Sequence, residues 1–157
     1  MYTIRFLQPS DNLDEVLALC REFFAEYESH HREFFDTDNL TDADIKDRFL
    51  ASLKQDASAT VIAIENDAIV GYASVAIHDQ PRFYKVKKVG AISALMVKPE
   101  CRRQGIGALL LEGARDYFRS KGIRYFTFYT AAANVAAVKL YDKLGFERLH
   151  FSFLGKV

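Results

Sequence analysis

The chain has 157 residues, 50% hydrophobic and 27% charged, an ordinary globular composition with enough apolar material for one domain, residues 1–157, with its own core. Its 21 basic residues balance 21 acidic ones, so nothing supports general affinity for nucleic acid or an anionic membrane. The two cysteines have no metal-ligand spacing, and no signal-peptide core or long apolar run is present, which points to a reducing cytoplasm and away from a zinc module or a membrane span.

Tyr2 to Leu7 alternates as a first strand, and Ser10 or Asp11 is placed to cap the helix that follows. Val16, Leu19, Cys20, Phe23, Phe24 and Tyr27 fall at helical spacing, so Cys20 belongs to the core. Thr41 with Asp44 reads as a capping box for a second helix, with Ile45, Phe49, Leu50 and Leu53 as its buried stripe. From residue 60 the period changes. Thr60–Glu65 and Ala68–Ile77 flank the Asn66-Asp67 hairpin signal, Pro81 breaks the second strand, and Lys85 to Val97 supplies the next. Ile106, Leu109, Leu110, Gly113, Tyr117 and Phe118 form the apolar face of a third helix, which Gly122 stops. Ile123 to Thr130 is aromatic-rich and strand-like. Asn134 caps a last helix with Val135, Val138 and Leu144, Gly145 ends it, and Phe146 to Leu154 alternates as a closing strand.

The stretch from Ser93 to Ala108 carries the chemistry. Leu95, Met96 and Val97 end a buried strand, Pro99 breaks it, and Arg102, Arg103, Gln104, Gly105, Ile106, Gly107 and Ala108 lead into a helix. Free backbone N–H groups and the helix dipole favour an anion at such a start, and glycine lets a phosphate come close. The competing reading is a basic helix cap that binds nothing. Cys101 sits beside the arginines as an accessible thiol. A Walker A loop is excluded by spacing, and a dinucleotide fingerprint lacks its third glycine, since Leu110 stands there.

Arg102-x-x-Gly105-x-Gly107 resembles motif A of the GNAT superfamily of acetyl-CoA-dependent N-acetyltransferases. Asn134, Ala137, Leu140, Tyr141, Lys143, Gly145 and Phe146 resemble its motif B in register, in the right order and with one strand between the two. The resemblance runs through nearly the whole chain. It implies an α/β (α+β) fold in the order β-α-α-β-β-β-α-β-α-β: a mixed, largely antiparallel sheet flanked by helices, with a parallel pair, Ala91–Val97 and Ile123–Thr130, that splays apart. It also implies that backbone at Leu95, Met96 and Val97 takes the pantetheine arm and that residues 102–108 hold the pyrophosphate. Asn134 and Ala137 would flank the arm, and Tyr141 would protonate the departing thiolate. Acetyl-CoA is then the acyl donor, in direct transfer within a ternary complex, and no metal is needed.

The acceptor is implied only as a primary amine: a small molecule, a peptide N-terminus or a lysine. Many relatives carry an acidic residue on the strand before the glycine loop, where Ser93 and Ala94 stand here. Glu28, His30, His31, His78, His150 or a water chain to Ser93 remain as bases. Phe24, Tyr27, Glu28, His31 and Ser93 are candidates for the acceptor pocket, although Phe24 also suits a core or a homodimer interface. A non-catalytic acyl-CoA-binding or regulatory protein on the same fold is the alternative, and a nucleotide-binding α/β protein a weaker third.

Overall fold

A computed structural model describes all 157 residues. Strand β1 (Thr3–Phe6) leads to helices α1 (Leu13–His30) and α2 (Asp42–Ser52), then strands β2 (Ser58–Glu65), β3 (Ala68–Asp79) and β4 (Lys88–Val97). A short 3₁₀ turn (Pro99–Cys101) precedes helix α3 (Ile106–Ser120), strand β5 (Phe126–Phe128) and helix α4 (Val135–Lys143). The strands lie in the order β1-β2-β3-β4-β5; the first four are antiparallel and β5 runs parallel to β4.

Period-two alternation sorts the two faces of the sheet. Val61 and Ala63 of β2 pack with Ile106, Leu110, Ala114 and Phe118 of α3, while Ile62 between them packs with Val16, Leu19, Ile45 and Phe49 of α1 and α2. Burying such side chains stabilises the fold by about 1.5–3 kcal/mol each relative to exposure. The sheet therefore carries α3 and α4 on one face and α1 and α2 on the other.

Local signals set the element ends. The Thr41–Asp44 capping box forms as expected, and Asn66 and Asp67 make the β2–β3 turn at φ 49° and 62°. The cap of α1 is Asn12, which accepts from the Asp14 N–H at 3.0 Å, and not Ser10 or Asp11. Asp11 is taken by Arg5, whose guanidinium donates to both carboxylate oxygens at 2.6 and 2.7 Å and holds that carboxyl below its ordinary range.

Three expectations are corrected. Strand β5 covers only Phe126–Phe128, because Ile123 still belongs to the helix end: its N–H bonds Phe118 O at 2.9 Å while Gly122 turns at φ 70°. Leu50, Leu109, Val135 and Leu144 face solvent; on α3 the inward positions are filled by Leu111 and Ala114. Residues after Gly145 form no strand, despite their alternation.

Gly90 marks where β4 meets β5. A Cβ there would lie 2.5 Å from the Phe118 ring, which itself stacks on Phe126 at 5.3 Å between centroids. The ring fills the place of a side chain, and packed interiors do not yield to an added methyl without strain. Gly90→Ala should cost about 1–3 kcal/mol, read as a lowered urea midpoint with an unchanged slope; a variant that matches the wild type would mean that Phe118 moves freely.

Candidate active site

The parallel pair is short. Gly90, Ala91 and Ile92 face Phe126, Thr127 and Phe128, and beyond Ile92 the β5 side of β4 has no partner. At the same point β4 bulges: Ser74 pairs Ala94 and Val75 pairs Ile92, so Ser93 is the extra residue. A bulge bends a strand and re-aims its backbone groups. The two strands diverge, and a cleft of about 360 Å³ opens between them.

Its floor is β4 from Ile92 to Val97, and its far end is the loop and first turn of α3, with Arg102, Arg103, Gly105, Ile106, Gly107 and Ala108 in the wall. Gly105 caps α3 at φ 85° with no side-chain hydrogen bond and no acidic residue in the first turn. The first intrahelical donor is Leu109 N–H, to Gly105 O at 3.1 Å. The N–H groups of the preceding turn are therefore free for an anion, and the dipole favours one there. Arg103 is left-handed too, at φ 64°. Such a conformation costs a side-chain-bearing residue about 1–2 kcal/mol.

The arginines differ. Arg102 bends back into the protein: its Nε donates to Val97 O at 2.9 Å, and its Nη2 reaches Glu26 of α1 at 2.5 Å. That ion pair is about 40% exposed on each side (39% and 44%), so its net worth is at most ~1 kcal/mol. Its consequence is positional, since it ties α1 to the loop. Arg103 is exposed. Gln104 lies outside the cleft wall and pairs with the Tyr2 hydroxyl.

Helix α4 supplies the opposite wall. Asn134 caps it by accepting from Ala137 N–H at 3.2 Å, and Asn134, Ala137, Leu140 and Tyr141 all line the cleft. The Tyr141 ring meets Phe128 edge-on at 4.6 Å, and burial raises its phenol above the ordinary value, so it is held protonated. Cys101 also lines the cleft but is buried, with its thiol pushed up, which corrects the expectation of an accessible thiol.

On the α1 side the wall is Phe23, Glu26, Tyr27 and His30, faced by Tyr129 from the end of β5. Tyr27 stands edge-on to His30 at 6.3 Å and to Tyr129 at 6.5 Å, and burial, then Tyr129, raises its phenol. Of the acceptor candidates, Tyr27 and Ser93 are in the wall and Phe24, Glu28 and His31 are not. Phe24 packs against the α1–α2 core cluster. Glu28 accepts from the Thr37 hydroxyl at 2.6 Å and braces the following loop, and His31 is exposed at the helix end. Sequence reasoning passed over Phe23 and Glu26 as site residues and named His30 only as a base. Helical spacing would have found them, because 23, 27 and 30 share a face that 24, 28 and 31 do not. Of the four histidines only His30 reaches the cleft.

The family model described as "Acetyltransferase (GNAT) family" matches residues 17–146. A mycothiol acetyltransferase of Renibacterium salmoninarum is 33% identical over 94 residues, covering 59% of this chain and 27% of that protein. One of Arthrobacter sp. is 29% identical over 146 residues, 93% of this chain and 42% of its own. The chain thus spans less than half the length of these relatives. Among solved structures, a Bacillus halodurans protein superposes with a TM-score of 0.84 at 20% identity, covering 99% of both chains. Aminoglycoside N-acetyltransferase AAC(6')-Iy, solved with CoA, superposes at 0.81 and 20% identity, over 100% of this chain and 95% of that one. The matched span runs from the first helix through both glycine-bearing motifs, and the sheet with its parting parallel pair is the fold of those structures: this chain belongs to the GNAT family of acetyltransferases.

Proposed function

We propose that this protein transfers the acetyl group of acetyl-CoA directly to a primary amine of a small molecule, in the cytoplasm. The observation that carries the reading is one cleft in which an unpaired strand edge, an uncapped helix start and a protonated phenol meet. The free amides at Ile106, Gly107 and Ala108 suit a pyrophosphate, with Arg103 outside them as a screening charge. The open edge at Leu95, Met96 and Val97 offers backbone groups to an amide-bearing arm in the manner of an added strand. An N–H of that edge aimed at the thioester carbonyl would stabilise its oxygen as it becomes anionic, a contribution of ~3 kcal/mol in comparable sites. Tyr141 then gives its proton to the departing thiolate.

The amine must first lose a proton. No carboxylate stands on β4, and Glu26 is held by Arg102. His30, which lines the cleft, takes that proton from the α1 side, and the bulged Ser93 helps to place the nucleophile. Relatives named for mycothiol and aminoglycosides support a small-molecule acceptor. Both cysteines are free and buried, which favours a ternary complex over an acylated thiol. No helix is long and apolar enough to cross a membrane, and no three His, Cys, Asp or Glu side chains cluster as metal ligands.

Tyr141→Phe should lower kcat by roughly 10²-fold or more and leave acetyl-CoA affinity within a factor of about two, as for a group that acts in the chemical step. Thiol release against polyamines, aminoglycosides, amino acids and peptides reads both the role and the acceptor. Full turnover in the variant would remove the phenol from catalysis, and silence of the wild type with acetyl-CoA still bound would favour a regulatory acyl-CoA-binding protein. Arg103→Gly should raise stability by about 1 kcal/mol through relief of the left-handed residue. The same change should weaken CoA binding several-fold at low salt and less at high salt. Calorimetry at two ionic strengths checks both, and a salt-independent affinity would place Arg103 away from the phosphates.

A further inference from the structure

The α1 end of the cleft is aromatic on both walls. Tyr27 is its hub: Phe23 lies 5.6 Å from it between ring centroids, Phe35 backs it at 4.8 Å, and His30 stands edge-on at 6.3 Å. Tyr129 meets it edge-on from across the cleft at 6.5 Å. Phe23, Tyr27, His30 and Tyr129 all line the cavity. Helical spacing makes the first wall, because 23, 27 and 30 share one face of α1. The second wall exists because the β4–β5 pairing has already ended at Phe128, which leaves the next residue at the cleft mouth. The Tyr129 ring is 74% exposed, so it contributes little to the core.

Charge rules out one class of acceptor. Glu26 is the one acidic residue in the cleft wall, and Arg102 holds it at 2.5 Å. With Arg103, the wall carries two guanidinium groups against that carboxylate. Glu28, Glu33 and Asp36 lie outside the wall and have partners of their own: Thr37, Lys156, and the Asp38 N–H with Asn39. An acceptor with several ammonium groups would have to shed water from each without a carboxylate to receive it. A single ammonium meets no such obstacle, since the faces of tyrosine and phenylalanine rings attract a cation. The rest of the acceptor must then be apolar. A flat ring makes edge-to-face and offset contacts with both walls, where an alkyl chain offers area alone.

We infer that the acceptor is a monoamine carrying an aromatic ring, an arylalkylamine, gripped by Phe23 and Tyr27 on one side and Tyr129 on the other. The inference rests on the acetyl-transfer reading above, which lays the donor along β4 and the start of α3 and leaves the α1 end to the amine. Thiol release at saturating acetyl-CoA, with 2-phenylethylamine, n-butylamine, spermidine and neamine in turn, tests it. The kcat/KM for 2-phenylethylamine should exceed that for n-butylamine about tenfold or more, and those for the two polycations about a hundredfold or more. Tyr129→Ala removes an exposed ring, so the unfolding temperature should hold, while the phenylethyl-to-butyl ratio should fall about tenfold. A wild type that acetylates spermidine or neamine as well as 2-phenylethylamine overturns the inference and leaves acetyl transfer standing. So does equal turnover of the phenylethyl and butyl amines, or a Tyr129→Ala variant that keeps the wild-type ratio. Silence with every amine while acetyl-CoA still binds overturns the acetyl-transfer reading itself, and this inference with it.

Discussion

Everything at this site depends on two parallel strands that stay paired for three positions and then part. Gly90, Ala91 and Ile92 hold β5, and the bulge at Ser93 falls where the pairing stops. On one side of that point the Gly90–Phe118–Phe126 stack fixes the strands to α3. On the other, β4 continues to Val97 with β3 as its only neighbour. An unpaired edge inside a protein is costly unless water or a ligand meets it. The fold tolerates this one because it lines a cleft.

Electrostatics in the cleft are local. A neutral chain has no large field to draw an anionic donor, so attraction rests on the uncapped start of α3 and on the arginines beside it. Arg102 is spent on structure. Its bonds to Val97 O and Glu26 set the loop against β4 and α1, which leaves Arg103 exposed beside the uncapped start of α3. A short side chain at 102 would release α1 as well as the loop, coupling the donor end of the cleft to its acceptor wall.

What could be read from the residues was whatever short-range chemistry decides. The Thr41–Asp44 box, the Asn134 cap and the Gly105 turn each follow from a few neighbouring residues, and each forms. Element order through the last helix and both motifs were legible for the same reason. What failed depended on partners outside the few neighbouring residues that set a cap or turn. Asp11 looks like a cap until Arg5 claims it. Ile123 looks like a strand until it closes the end of α3. Glu26 and Glu28 lie on different faces of α1, and only the folded chain shows that one meets Arg102 and the other Thr37. Leu109 and Val135 sit in apolar patterns but on faces that nothing covers.

The layering of the sheet bears directly on the proposed reaction. Helix α4 belongs to the face that carries α3, and Tyr141 packs there against the larger core cluster. Helix α1 belongs to the other face, so His30 and Glu26 approach the cleft from the opposite side. The divergence of β4 and β5 is what lets the two faces meet. A proton leaving the amine and a proton reaching the thiolate would therefore be handled by groups separated by the sheet. Burial holds the phenol in its protonated form, while the His30 imidazole lines the cleft on the α1 side. In the proposed reaction one face would give a proton and the other accept one, and the transfer between them would pass through the reacting atoms.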